Sequence, residues 1–319
     1  WLHSEKLRLN ISKFYFMLRD GYIVKKVYDL LYPDDNHNVY IYGSRRLFLF
    51  AGMQEYNDIK MHVSGLHTFG LTYEQVYQRL GINDTYLEKE YCKVFDKKEV
   101  VKTERDLDRI DDFFRTHVAI LNSISEKERK RIVEYLKSID FFEGNIGIVD
   151  LGWKGSMLKS ISKICKMEDL PVSMSGFYLA THECTCDGLH MNSFLMHDGK
   201  YKTEYPFAVL VKSGYIVALL ELVFSASFPS VINLKRTKDT IQPIYAELFK
   251  GEDSRIEIYK RIETGILDFI KKVIDIENAS TLRIQSSEAM LPLVHIDYNL
   301  SEREKEYIYY FFYKIQNSR

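Results

Sequence analysis

The chain has 319 residues, enough for one large α/β domain with an insertion or for two domains. Its 44 Lys+Arg balance 45 Asp+Glu, which argues against a nucleic-acid binder that works through a basic field, so no nucleic-acid partner is expected. With 23 Tyr, 19 Phe and only 6 Pro, and with no low-complexity tract or evident repeat, the composition is that of an ordered protein. The cysteines, Cys92, Cys165, Cys184 and Cys186, are too sparse for a disulfide framework and suggest a reducing, cytoplasmic compartment. The first residue is Trp1 and not Met, as in a fragment or trimmed chain, which leaves a native N-terminal signal open. The most apolar stretch, 207–228, is interrupted by Lys212 and Glu221 and reads as a buried helix, so no membrane span is expected.

In chain order, residues 1–11 look like the end of a helix. Residues 13–18 (KFYFML) form a short apolar run that suits a buried strand. After the polar turn Arg19-Asp20-Gly21, residues 22–31 show helical spacing. A second strand over 38–42 closes on Gly43-Ser44-Arg45-Arg46, and a helix follows over 47–53. Residues 58–142 read as helical throughout, with helix starts at Thr72-x-x-Gln75, Thr103-x-x-Asp106 and Ser125-x-x-Glu128. A third strand over 146–149 leads into Asp150-Leu-Gly-Trp-Lys-Gly-Ser156 and a helix over 157–167. A fourth strand spans 172–180, and 193–196 suits a fifth. A buried helix follows over 207–225, then an edge strand over 231–234, mostly helix over 239–276, and a last helix over 300–316 opened by Ser301-x-x-Glu304. The expected fold is α/β with a mainly parallel sheet and right-handed crossovers. Residues 1–57 and 143–236 make the core, 58–142 a helical insertion, and 237–319 a helical C-terminal part.

Ligands of such sheets sit at the carboxyl ends of the strands, and three polar turns fall there. In the third, a strand, a Gly-rich turn and a helix succeed one another, the arrangement that gathers backbone N–H groups around an anion. Gly152 and Gly155 allow close backbone approach, Lys154 adds charge and Ser156 a hydroxyl at the N-cap. Asp150 is placed to hold a sugar hydroxyl or a metal ion. The segment is neither Gly-x-x-x-x-Gly-Lys-[Ser/Thr] nor Gly-x-Gly-x-x-Gly, and helix capping alone would also explain its Gly and Ser. In the second turn, Arg45 and Arg46 present forks that match pyrophosphate oxygens; as surface charges they would simply snorkel or pair with carboxylates. The first turn offers Asp20 beside Arg19. Two anion sites with carboxylates between them would fit a sugar bearing phosphate at one end and pyrophosphate at the other.

Phe16-Met-Leu-Arg-Asp-Gly-Tyr22, Tyr40-Ile-Tyr-Gly-Ser-Arg-Arg46, Val149-Asp-Leu-Gly-Trp-Lys-Gly-Ser156 and Glu221-Leu-Val-Phe-Ser-Ala-Ser-Phe-Pro-Ser230 resemble, over most of the chain, the recurring blocks of a bacterial polysaccharide-biosynthesis family. Its members resemble ribofuranosyltransferases that use phosphoribosyl pyrophosphate. They are often fused behind a haloacid dehalogenase-type phosphatase domain and inherit that hydrolase label. The resemblance implies a phosphoribosyltransferase-like fold, Mg²⁺, and a lipid-linked glycan acceptor of an O-antigen or capsule at the inner face of the membrane. It also implies a phosphatase domain or partner that trims the product. By the same resemblance Asp150, Gly152, Trp153, Lys154, Gly155 and Ser156 would grip ribose 5-phosphate, with Asp150 also at the metal. Gly43, Ser44, Arg45 and Arg46 would hold pyrophosphate, and Arg19, Asp20 and Gly21 would form the first sheet loop. Leu151 stands where phosphoribosyltransferases carry a second acid, leaving the ribose hydroxyls to Asp150.

The implied reaction moves ribofuranosyl 5-phosphate to a sugar hydroxyl with inversion. Asp20, or else Glu221 from its apolar helix, would take the proton. A haloacid dehalogenase-type phosphatase would need Asp-x-Asp after a strand, and none follows one here. A nucleotide-sugar-dependent glycosyltransferase commonly carries the same signature, although some folds of that class do not. A non-catalytic sensor or scaffold is the remaining alternative. His182-x-Cys184-x-Cys186-x-x-x-His190 offers four zinc ligands, but Cys-x-Cys departs from the usual Cys-x₂-Cys spacing, and reduced thiols in a loop over the sheet suit it better.

Overall fold

Strand β1 (Lys13–Met17) is apolar without alternation because both of its faces are covered. In this computed structural model, which describes residues 1–182, 188–197, 200–201, 215–238, 240–247, 252–276 and 281–308, Tyr15 and Met17 join one core cluster while Phe14 and Phe16 join another. β1 pairs in parallel with β2 (Val39–Ile41) on one side, Met17 opposite Ile41, and with β3 (Asn145–Asp150) on the other, Phe16 opposite Val149. β4 (Ser173–Ala180) and β5 (His190–His197) extend the parallel sheet, and the short β6 (Lys200–Tyr201) closes it antiparallel, in the order β2-β1-β3-β4-β5-β6. The described residues thus form an α/β fold with five parallel strands in one sheet.

After the N-terminal helix α1 (Leu2–Arg8), the crossovers run in opposite directions. From β1, α2 (Tyr22–Leu31) leads to β2 and sets Tyr28 against Phe14 and Phe16. From β3, α9 (Ser156–Met167) leads the other way to β4 and packs Leu158, Ile161 and Ile164 on the face of Tyr15 and Ile148. The chain therefore parts between the carboxyl ends of β1 and β3, the place where doubly wound sheets open a crevice.

Between β2 and β3 stand α3 (Arg45–Ala51), α4 (Asn57–Ser64), α5 (Tyr73–Arg79), α6 (Thr85–Val94), α7 (Glu104–Thr116) and α8 (Val118–Ser138). Most of the residues these helices bury from Phe50 to Leu121 form a cluster of their own, including Tyr73, Tyr91, Phe95 and Phe114. The boxes at Thr72/Gln75 and Thr103/Asp106 cap α5 and α7 as expected. The start expected at Ser125 is corrected: Ser125 and Glu128 lie inside the single helix α8. There the Ser125 hydroxyl donates to the Phe50 carbonyl (2.8 Å), and Glu128 pairs with an arginine, so both side chains tie α8 to α3 rather than begin a helix.

The expected helix over 207–225 appears within the described residues as α10 (Tyr215–Val223). The stretch 239–276, expected to be mostly helical, is helix over Glu252–Ile274, preceded by a strand that was not expected. β7 (Val231–Arg236) pairs antiparallel with β8 (Ile241–Tyr245), and the Thr237 N–H donates to the Thr240 carbonyl (2.8 Å). This hairpin stands alone, so Pro243 costs no inner ladder bond. The helix α11 begins only at Glu252 (Glu252–Ile274), and α12 spans Ser286–Asn299. Ser301 and Glu304 form the expected box, with the Ser301 N–H donating to Oε2 of Glu304 (2.8 Å), and helix continues to 308. Among the described residues no helix is long and apolar enough to cross a membrane.

Candidate functional site

The turns after β1 and β3 flank the crevice, and each is shaped by a backbone that few residues tolerate. Arg19 sits at φ 89°, an uncommon conformation for a side-chain-bearing residue, and Gly21 heads α2 with its N–H on the Met17 carbonyl (2.7 Å). In the other turn Gly155, at φ 68°, is the N-cap of α9. Ser156 is therefore the helix's first residue and not its cap, a correction that follows from the glycine taking the left-handed position. At Gly152 a Cβ would lie 2.4 Å from the Ala180 carbonyl oxygen, so only glycine fits. The turn is tied to the end of β4 by the Leu179 N–H on the Leu151 carbonyl (2.9 Å) and the His182 N–H on the Trp153 carbonyl (2.8 Å). Trp153 and Ser156 are half-buried, and Lys154 is exposed.

Asp150, at the last position of β3, is buried, and its Oδ1 accepts the Leu151 N–H (2.9 Å). Burial first, then the negative field of Asp20 with a smaller contribution from Glu221, pushes its carboxyl up to about 8; the Leu151 N–H and Arg45 pull the other way. Glu221 on α10 is likewise raised, chiefly by burial and then by Asp20, while the Trp153 indole Nε1–H (3.3 Å) and the charges of Arg19 and Arg45 oppose the shift. Asp20, Asp150 and Glu221 thus share one field although they lie far apart in the sequence. Arg19 Nη1 donates to the Ser230 hydroxyl (2.5 Å), which joins the first and last of the resembling blocks as Trp153–Glu221 joins the third and last. Ser230 stands in a quoted block but carried no role in the sequence, because nothing there marks a hydroxyl that positions an arginine.

The arginine pair divides. Ser44 caps α3, accepting the Leu47 N–H at 3.1 Å. Arg45, next along, is exposed, makes no hydrogen bond or ion pair with the described residues, and acts electrostatically on both Asp150 and Glu221. Arg46 is corrected: it does not offer its fork to a diphosphate. Its side chain is 5 % exposed, with Nη1 2.6 Å from Glu128 Oε2 and 2.8 Å from the Ile232 carbonyl. Its Nη2 donates to Glu128 Oε1 at 3.0 Å, and its Nε to the Leu80 carbonyl. Asn233 also donates to Glu128 (2.9 Å), so Arg46 fastens α3, α5, α8 and the β7–β8 hairpin together.

No group of three or more His, Cys, Asp or Glu able to hold a metal ion occurs among the described residues. Of the zinc candidates, Cys184 and Cys186 lie outside the described residues, while His182 follows β4 and His190 opens β5. No protein-family model matches the chain, and no curated protein matches it.

Proposed function

We propose that this chain is a glycosyltransferase of phosphoribosyltransferase-like type. It would move ribofuranosyl 5-phosphate from phosphoribosyl pyrophosphate to a hydroxyl of a lipid-linked glycan in surface polysaccharide biosynthesis. The observation that carries this reading is the meeting, at the β1/β3 switch point, of acidic and anion-binding groups. Asp20, Asp150 and Glu221 share one field there with the exposed Arg45, beside a glycine turn that enters α9. The turn and the positive end of α9 suit the 5-phosphate. Arg45 suits the departing diphosphate, whose negative charge grows as the bond to the anomeric carbon breaks. Asp150, at the end of β3, can hydrogen-bond a ribose hydroxyl through a carboxyl oxygen.

The acceptor oxygen forms the new bond to the anomeric carbon, the old carbon–oxygen bond breaks, and the proton passes to a carboxylate. Glu221, raised by burial, is one candidate proton acceptor, and Asp20, whose charge acts on it, is the other. The donor set fits Mg²⁺, because Asp150 is held among like charges that a cation would relieve, and Mg²⁺ usually takes one or two carboxylates and completes its shell with substrate phosphates. Asp150, with Asp20 beside it, would hold the ion, and when bound it would neutralise charge on the diphosphate.

The deciding experiment titrates the chain with phosphoribosyl pyrophosphate and Mg²⁺, in parallel with ribose 5-phosphate and a set of nucleotide-sugars. It then follows pyrophosphate release in the presence of acceptor glycan. Binding of phosphoribosyl pyrophosphate with acceptor-dependent release is expected. Binding of a nucleotide-sugar in its place would overturn the reading, and binding without release would make the chain a sensor or scaffold.

A further inference from the structure

The bond that removes Arg46 from the crevice brings another cation to its edge. Arg46 Nε donates to the Leu80 carbonyl, and the residue before Leu80 is Arg79, at the end of α5, as Arg45 is the residue before Arg46. Arg79 is half-buried. Its one hydrogen bond is a long one from Nη1 to the His67 carbonyl (3.5 Å), and it has no carboxylate partner among the described residues. Half-buried guanidinium groups normally pair, because an unpaired charge loses water and gains nothing in return. Two imidazoles stand with it. His67 Nε2 is 3.3 Å from the His62 carbonyl, the two rings are 6.5 Å apart, and His62 Nε2 is fully buried without a partner.

The charges that weigh most on these groups among the described residues are those of arginines. Burial first, then Arg45, lowers Arg79 to about 10, so it stays charged at neutral pH. Burial first, then Arg79, His67, Arg46 and Arg45, takes His62 down to about 3, and burial and Arg79 lower His67 as well, against a small opposing effect of the His62 carbonyl. Arg45 acts electrostatically both on this group and on Asp150 and Glu221, and the Arg46–Leu80 bond brings the end of α5 against the start of α3.

We propose that Arg79, with Arg45 and the neutral imidazoles of His62 and His67, forms a diphosphate subsite contributed by the helical insertion. It rests on the reading of the chain as a phosphoribosyl pyrophosphate-dependent transferase, and it assigns the donor's pyrophosphate to this pocket rather than to the Arg45–Arg46 pair. A diphosphate supplies the negative charge the pocket lacks, and its oxygens can accept from both guanidinium groups and from an imidazole N–H.

The test is calorimetric titration of the full chain with inorganic pyrophosphate and, separately, with ribose 5-phosphate. Arg79→Gln should weaken pyrophosphate about tenfold or more, the loss of a charge-assisted contact, and leave ribose 5-phosphate within about twofold. Arg79→Lys, which keeps the charge, should recover part of the loss, and an unchanged thermal midpoint guards against misfolding. Pyrophosphate binding that is absent in the unmodified chain, or equal in the unmodified chain and Arg79→Gln, overturns the subsite. So does an equal loss for both ligands. If the unmodified chain binds pyrophosphate in an Arg79-dependent way but binds neither phosphoribosyl pyrophosphate nor ribose 5-phosphate, the subsite stands and the transferase reading falls.

Discussion

Asp150→Asn replaces the buried carboxyl by a group of the same shape that cannot ionise and can still accept the Leu151 N–H. The carboxyl is raised from 3.8 to about 8 in the folded chain, so between those values the native state binds a proton that the unfolded state has released. Stability must therefore fall as pH rises through this window, and the loss is complete above the folded value. One pH unit is worth at most about 1.4 kcal/mol, so three units, from pH 5 to pH 8, set a ceiling of about 4 kcal/mol. Asp20 and Glu221 share the field and the proton steps belong to the group, so a gain of roughly 2–4 kcal/mol is expected for the variant relative to the unmodified chain across that range. Urea unfolding of both proteins at pH 5, 6, 7 and 8 measures it. A difference in stability that stays constant within about 0.5 kcal/mol over the four pH values would refute the burial and like-charge argument at its root.

Arg46→Met alone strands Glu128 as a buried charge and should cost about 3–5 kcal/mol in denaturant unfolding, whereas Arg46→Met with Glu128→Leu should recover most of it. A single variant as stable as the unmodified chain would show that the pair does not fasten these elements. Arg45→Ala, at an exposed position, should change stability by no more than about 0.5 kcal/mol while weakening phosphoribosyl pyrophosphate about tenfold; equal affinity in calorimetry would remove Arg45 from the site. Gly152→Ala forces a Cβ against the Ala180 carbonyl oxygen and must displace the turn, so ribose 5-phosphate binding should fall about tenfold or more, and unaltered affinity would detach that turn from phosphate recognition.

The parallel core was legible because both faces of its strands are buried, which makes Phe14–Leu18 and Ile146–Val149 read as continuous apolar runs. Of the hairpin only the first strand was legible, its Val231 and Leu234 being buried in the main core; in the second, Pro243 looks like a breaker rather than an isolated strand's residue. Ser125-x-x-Glu128 shows the same limit from the other side. Its spacing is that of a cap, but its side chains are satisfied by the Phe50 carbonyl and by Arg46, partners many residues away. The arginine pair explains why a site is harder to read than a sheet. Consecutive residues on a helix point about 100° apart, so packing that turns Arg46 into the core leaves Arg45 on a different face. Which of them turned inward was decided by Leu47, Phe48 and Ala51, whose burial against α8 and α9 fixes the rotation of α3, and by Glu128 waiting there with the complementary charge. A doublet of like residues at a helix start should accordingly be divided between core and crevice before either is given a ligand, and here that division is what uncovers Arg79. The carbonyl that holds Arg46 inward belongs to the residue next to it.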